Sequence, residues 1–174
     1  MKVSLRTKKK SLWRQKPKLY RFGVGVMLFN YQGLIFAGER KKISNAWQMP
    51  QGGIDKGETP YQAMLRELYE ETGIRQQHIE IIKQTEDWLH YDLPPNIQRR
   101  LWQGKYIGQK QKWYLCRFVG RDEDVNIKAH RPCEFIEWNW LATDDLMSMA
   151  VDFKQELYKK IFTRFMPEMA KCLA

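Results

Sequence analysis

Long apolar runs are missing from this 174-residue chain. No stretch approaches the ~20 residues that a membrane-crossing helix needs, so no membrane role is expected. The basic N-terminus has no apolar segment behind it, and a secretory leader is not expected either. Cysteine is scarce, with Cys116, Cys133 and Cys172 alone. An odd, sparse set predicts reduced thiols instead of a disulfide framework, and a cytoplasmic setting. His130 and Cys133 stand three apart, but two ligands do not make a zinc site. His78, His90 and His130 show no paired spacing and receive no catalytic role. Internal repeats and low-complexity linkers are absent, which predicts one domain. Acid is absent from residues 1–18, which hold eight Lys or Arg. Eight of the ten net positive charges therefore lie in that arm, leaving +2 for residues 19–174. Such an arm reads either as a solvated flexible tail or as a holder of polyanions such as RNA.

What is present is a globular body, 43% apolar and 13% aromatic. RFGVGVMLFN (21–30) is rich in β formers, Asn30 to Gly33 can turn the chain, and LIFAGER (34–40) returns it. WQMPQGGIDKGE (47–58) carries Pro50, Gly52, Gly53 and Gly57 and predicts a shaped loop. Thr59 can cap a helix that begins at Pro60, runs to residue 71 and stops at Gly73. Residues 79–93 suggest one or two strands, 94–104 a loop, 105–120 a long strand and 134–141 another. Asp144 or Asp145 can open a short helix. Asp152 can cap a final amphipathic helix with Phe153, Leu157 and Ile161 on one face. The pattern is α/β or α+β.

The helix after the glycine loop contains RELYEETG (66–73). At 100° per residue, Glu67, Glu70 and Glu71 share a sector of about 100°. Tyr61, Leu65, Leu68 and Tyr69 point away from it and predict the core face. Like charges at i, i+3 and i, i+4 each cost a few tenths of a kcal/mol. A solvated face tolerates that cost, whereas a divalent cation converts it into binding. Carboxylate oxygens suit Mg²⁺ or Mn²⁺, which are commonly shared with substrate phosphates. Metal, water and a proton-accepting Glu together describe hydrolysis of a phosphate ester or anhydride. Gly52 and Gly53 would let backbone approach the phosphates.

The spacing Gly52, five residues, Glu58, seven residues, then Arg66-Glu67-Leu68-x-Glu70-Glu71-x-Gly73-Ile74 resembles the Nudix hydrolase signature without a departure. The resemblance implies an α/β/α sandwich with a mixed sheet, a catalytic loop–helix–loop over 52–74 and a C-terminal helix. It covers residues 19–166 as a hydrolase domain, which leaves the basic arm read from charge at 1–18 and a tail at 167–174. It assigns Glu67, Glu70 and Glu71 to the metal, with Glu67 also the candidate general base. Arg66 would orient the glutamates, and Glu58 would hold the loop to the helix.

YRFGVGVMLFN, WQMPQGGID, GQKQKWYL, EFIEWNW and VDFKQELYKKIF look like bacterial RNA pyrophosphohydrolases and dinucleoside polyphosphate hydrolases. That likeness implies removal of pyrophosphate from the 5′-triphosphate end of RNA, initiating its decay. Diadenosine polyphosphates are the alternative substrate, and a non-catalytic RNA-binding module is the alternative of another class. Glu134 matches a further metal glutamate, and Arg21 a basic residue that contacts RNA in relatives. Arg40 and Lys41 are candidate phosphate binders. Gln109, Lys110, Gln111 and Lys112 alternate along a strand, so one pair can line the cleft; Gln109 and Lys110 are the candidates carried forward. Phe153 matches a phenylalanine that stacks on a base, with Lys154 beside it, yet it also fits the apolar face with Leu157 and Ile161.

Overall fold

A computed structural model describes residues 19–174. The basic arm expected at 1–18 lies outside the described residues. Eight strands form one mixed sheet: β1 (Tyr20–Phe29), β2 (Ile35–Arg40), β3 (Trp47–Gln48), β4 (Gln51–Gly53), β5 (Ile79–Gln84), β6 (Leu89–Asp92), β7 (Gly108–Phe118) and β8 (Phe135–Leu141). The helices are α1 (Pro60–Thr72), a single turn α2 (Pro95–Gln98), α3 (Thr143–Met149) and α4 (Asp152–Leu173).

The centre of the sheet is the parallel pair β1–β7, in register from Tyr20↔Gly108 to Phe29↔Arg117. Each of these long strands has two partners on its other side, one for each half. β1 pairs with β4 at Gly23–Gly25 and meets β2 at Phe29↔Ile35. β7 pairs with β6 over Gly108–Gln111 and with β5 over Tyr114–Phe118. The sheet therefore has one half built on β2, β1, β7 and β5, and another built on β4, β1, β7 and β6.

Period-two alternation divides β1 between two cores. Met27 and Phe29 join Trp113 and Leu115 beneath Leu157, Ile161 and Phe165 of α4. Val24, Val26 and Leu28 join Tyr114 and Cys116 beneath Ala63, Met64 and Leu68 of α1. Helices on both faces make the α/β/α sandwich, and they explain why β1 is apolar on both sides.

Several expectations need correction. The loop 47–58 contains two short strands, because Gln51–Gly53 completes the ladder of β1. Pro95–Gln98 forms a helical turn inside the expected 94–104 loop. Tyr61 is exposed, since it lies in the first turn of α1, outside the buried set Ala63, Met64, Leu68, Glu71 and Thr72. Residue 166 is not the end of the folded body: α4 runs through Pro167 to Leu173, and Met169 is buried in the core. Val151, not Asp152, occupies the N-cap position of α4.

At Gly25 a Cβ would stand 2.5 Å from Cε2 and Cζ2 of Trp113 on β7. Gly25→Ala should lower stability by about 1–3 kcal/mol through overpacking, read as a lower urea midpoint.

Candidate active site

Local chemistry places α1 first. The Thr59 hydroxyl accepts from the Gln62 N–H at 3.2 Å, and Gln62 Oε1 accepts from the Thr59 N–H at 2.9 Å. This reciprocal box, with Pro60 at the first position, fixes where the helix starts. Gly73 ends it at φ 72°, its N–H donating to the Tyr69 carbonyl at 2.8 Å. The left-handed backbone there favours glycine.

Arg66 gathers the carboxylates. Its Nε and Nη2 donate to the two oxygens of Glu58, each at 2.8 Å. Nη2 also donates to the Gly53 carbonyl at 2.8 Å. Nη1 reaches Glu67 Oε1 at 2.9 Å and Glu70 Oε2 at 3.4 Å. The two-point grip on Glu58 ties the loop to the helix and holds the Glu58 carboxyl below its usual range. Burial acts the other way on Glu67, raising its pKa against the opposing hydrogen bond from Arg66. The Glu67 carboxylate occupies the space where a side chain on Gly52 would stand. On the opposite face of β4, the Arg21 guanidinium fills the corresponding space at Gly53. Sequence reading opened these glycines to phosphate. The structure fills both spaces with protein, and β4 becomes a thin partition between Glu67 and Arg21.

Glu71 is buried, and its Oε2 accepts the Gln51 N–H at 2.9 Å. Burial pushes its pKa well up, and the charges of Glu67 and Glu134 add to the rise. Lys154, also buried, donates to Gln48 Oε1 at 2.7 Å. Burial, then the Arg40 charge, bring it down to about 7. Arg40 pairs with Glu134 at 3.5 Å, while its buried Nε has no partner among the described residues. The buried Gln51 Oε1 is likewise unpartnered. Lys41 departs from this group: its main chain bonds to the Glu134 carbonyl, and its side chain is exposed.

The register of β7 separates the candidates at 109–112. Gln109 and Gln111 are buried, and Arg21 lies opposite Gln109. Lys110 and Lys112 project from the other face, so Lys110 does not line the cleft with Gln109. The indole of Trp113, which can only donate, gives its N–H to Gln111 Oε1 at 3.1 Å. The Gln111 amide nitrogen then donates to Gln109 Oε1 at 3.1 Å. This chain leaves the N–H groups of Gln109 as the donors available to a bound group. Arg21 crosses Trp102 with 5.1 Å between its guanidinium carbon and the ring centroid. Phe153 is half-buried, stacks on Tyr91 at 5.9 Å and lines an open groove of about 630 Å³ with Pro94, Val151 and Asp152. It packs against the core and borders the groove at once.

Sequence reasoning missed Gln48, Gln51, Tyr91, Trp102 and the Gln111–Trp113 relay. Gln48 and Gln51 stood in the quoted WQMPQGG segment, but their partners come from α1 and α4. Alternation along β6 could have flagged Tyr91.

The donor set can be tested for a divalent cation. Among the described residues, no group of three or more acidic, histidine or cysteine side chains forms a ready-made ligand cluster. The chemistry of the carboxylates fits nevertheless. Glu67, Glu70, Glu71 and Glu134 offer hard oxygens, and Glu67 and Glu71 are held under desolvation and mutual repulsion that a cation would relieve.

A NUDIX domain model matches residues 19–165. The chain belongs to the Nudix family. Two relatives are an RNA pyrophosphohydrolase of Roseobacter denitrificans and one of Wolbachia pipientis. The first is 50% identical over 147 residues, covering 84% of this chain and 91% of that protein. The second is 48% identical over 148 residues, covering 85% and 90%. Among solved structures, a dihydroneopterin triphosphate pyrophosphohydrolase of E. coli aligns with TM-score 0.67 and 16% identity, over 84% of this chain and 99% of that one. An Ap4A hydrolase of C. elegans aligns with TM-score 0.61 and 21% identity, over 84% and 98%. At these identities the solved structures establish the Nudix fold alone. The box glutamates, Arg66 and Glu58 all lie within the matched segment.

Raising the folded pKa of Glu71 means that its native form holds a proton the unfolded chain has released. Stability from this group is present at low pH and is lost as pH rises through the folded value. Without metal, Glu71→Gln should therefore melt higher than wild type at about pH 8, with the gap closing toward about pH 4. Thermal melts in chelator check this. The relay predicts that Gln111→Met raises KM several-fold with little change in kcat, because Gln109 loses its fixed orientation; steady-state kinetics check it.

Proposed function

We propose that this Nudix chain hydrolyses phosphoanhydride bonds with Mg²⁺ or Mn²⁺, removing pyrophosphate from the 5′-triphosphate end of RNA. The observation that carries the chemistry is the convergence of Glu67 and Arg21 on the two faces of β4, at Gly52 and Gly53. Acidic and basic groups stand on either side of one thin strand, near enough that the Arg21 charge acts on Glu67. The choice of RNA is supported by relatives of 47–50% identity that bear the name RNA pyrophosphohydrolase.

In this reading Glu67, Glu70, Glu71 and Glu134 hold the cation. When bound, the metal supplies charge neutralisation for the phosphates and acidifies a water. Glu67 accepts the proton of the attacking water. Burial makes it a stronger base than a free carboxylate, and Arg66 engages Oε1, leaving Oε2 for the proton. A bond forms from water oxygen to phosphorus, the anhydride bond breaks, and its oxygen leaves with pyrophosphate. Arg66 fixes the direction of Glu67 and Glu70. Arg21, Arg40 and the Gln109 amide bind phosphate oxygens. Lys154 adds charge when protonated, and Phe153 stacks on a base at the groove mouth. The domain extends through the end of α4.

The test compares 5′-triphosphorylated RNA with diadenosine tetraphosphate, with Mg²⁺, with Mn²⁺ and with chelator. RNA should be turned over faster, and chelator should stop the reaction. Equal or faster turnover of the dinucleotide would overturn the substrate assignment. Glu67→Gln should lower kcat by about 10²- to 10⁴-fold. Full activity in that variant would remove Glu67 from the base role, and binding without hydrolysis of any anhydride would favour an RNA-binding module.

A further inference from the structure

We infer that the end of the sheet face beside α1, across the sheet from Arg21 and Gln109, is a second binding surface for single-stranded RNA, taking nucleotides downstream of the 5′ end. The inference rests on RNA being the substrate. Alternation along three strands builds the surface. Arg21, Gln109 and Tyr91 belong to the cleft face. Their neighbours Tyr20, Phe22, His90 and Lys110 project the opposite way, and register sets Phe22 and His90 against Lys110 from its two sides. On this face α1 covers Val24 and the residues beyond it, but not Phe22, whose side chain is 51% exposed.

Rings and ammonium groups interleave here. Phe22 meets Trp88 edge-on at 4.8 Å, and Tyr20 meets His90 at 5.5 Å. Lys110 lies 5.5 Å from the Tyr20 ring and Lys112 5.6 Å from the Trp88 ring. The Lys112 ammonium is anchored by the carbonyls of Thr85 and Glu86. Asp92, the acid of β6 on this side, accepts the Tyr20 hydroxyl at 2.6 Å.

Charge selects the occupant. The 18 residues leading into this face carry eight Lys or Arg and no acid. Lys110 and Lys112 therefore disfavour that arm as the occupant and favour a polyanion. Aromatic side chains beside cations suit a single strand, whose bases stack without regard to sequence. The path is short as well. Arg21 and Phe22 are adjacent, and among the described residues β6 pairs only with β7, so it is a sheet edge there. An RNA with its 5′ phosphates in the cleft needs to pass that edge alone to reach Phe22 and Trp88.

The test uses full-length protein and a double variant, Phe22→Ser with Lys110→Gln. Binding of a 5′-hydroxyl RNA of about 20 nucleotides is followed by fluorescence anisotropy across a salt series. The variant should bind about tenfold more weakly, and its salt slope should fall by about one unit. Its kcat and KM on a triphosphorylated dinucleotide should be unchanged. Unaltered affinity for the long RNA overturns the proposal, and so does an equal loss on the dinucleotide. Loss of a protein partner with RNA affinity intact would make this face a protein-docking surface instead. If wild type binds the long RNA through this face yet fails to hydrolyse the triphosphorylated dinucleotide, the substrate reading falls and the surface stands.

Discussion

The guanidinium of Arg66 sits between the glycine loop and the acidic face of α1, and the rest of the site is arranged around it. One cation meets both oxygens of Glu58, one oxygen each of Glu67 and Glu70, and the carbonyl of Gly53. Each contact answers a separate problem. The Glu58 grip closes the loop on the helix. The Glu67 and Glu70 contacts offset a like-charge pair that would otherwise repel. The carbonyl contact fixes the strand over which Glu67 lies. A lysine has the charge but lacks the planar fork that makes these contacts at once.

That arrangement depends in turn on how thin β4 is. With no side chain at Gly52 or Gly53, the acidic and basic groups close from opposite faces. The remaining groups reach the same place from α4: Lys154 bonds to Gln48, and the Tyr158 hydroxyl accepts the Met49 N–H at 3.0 Å. With the Gln51 N–H bond to Glu71 of α1, these contacts pin the segment from β3 to β4 to both helical layers of the sandwich. The electrostatic result is opposed burial: Glu67 and Glu71 are pushed toward protonation, and Lys154 toward neutrality. A cation among the carboxylates and phosphates beside the bases would restore charge to both.

Much of this was legible in the chain. Thr59, Pro60 and Gly73 mark the ends of α1 because capping is local chemistry. The spacing from Gly52 to Ile74 marks the family because each of its positions does a separate physical job. Period two separated Gln109 and Gln111 from Lys110 and Lys112 before any fold was known. Less was legible wherever a side chain meets a distant element. The relay from Trp113 through Gln111 to Gln109 reads as three ordinary strand residues until their burial is known. Phe153 satisfied both an apolar helix face and a base-stacking position, and the structure places it at the border of the core and the groove.

Sequence alone determined the box, its caps, the acidic face of α1 and the place of β1 as a strand. These follow from spacing along a single element. Tertiary structure decided which glutamate is buried, that Tyr61 lies outside the core, that α4 continues past residue 166 and that Lys110 faces away from the cleft. The physical reason is shared by all four. Periodicity orients a side chain about its own helix or strand axis, but solvent exposure, pKa and neighbours depend on what the rest of the chain lays against that side.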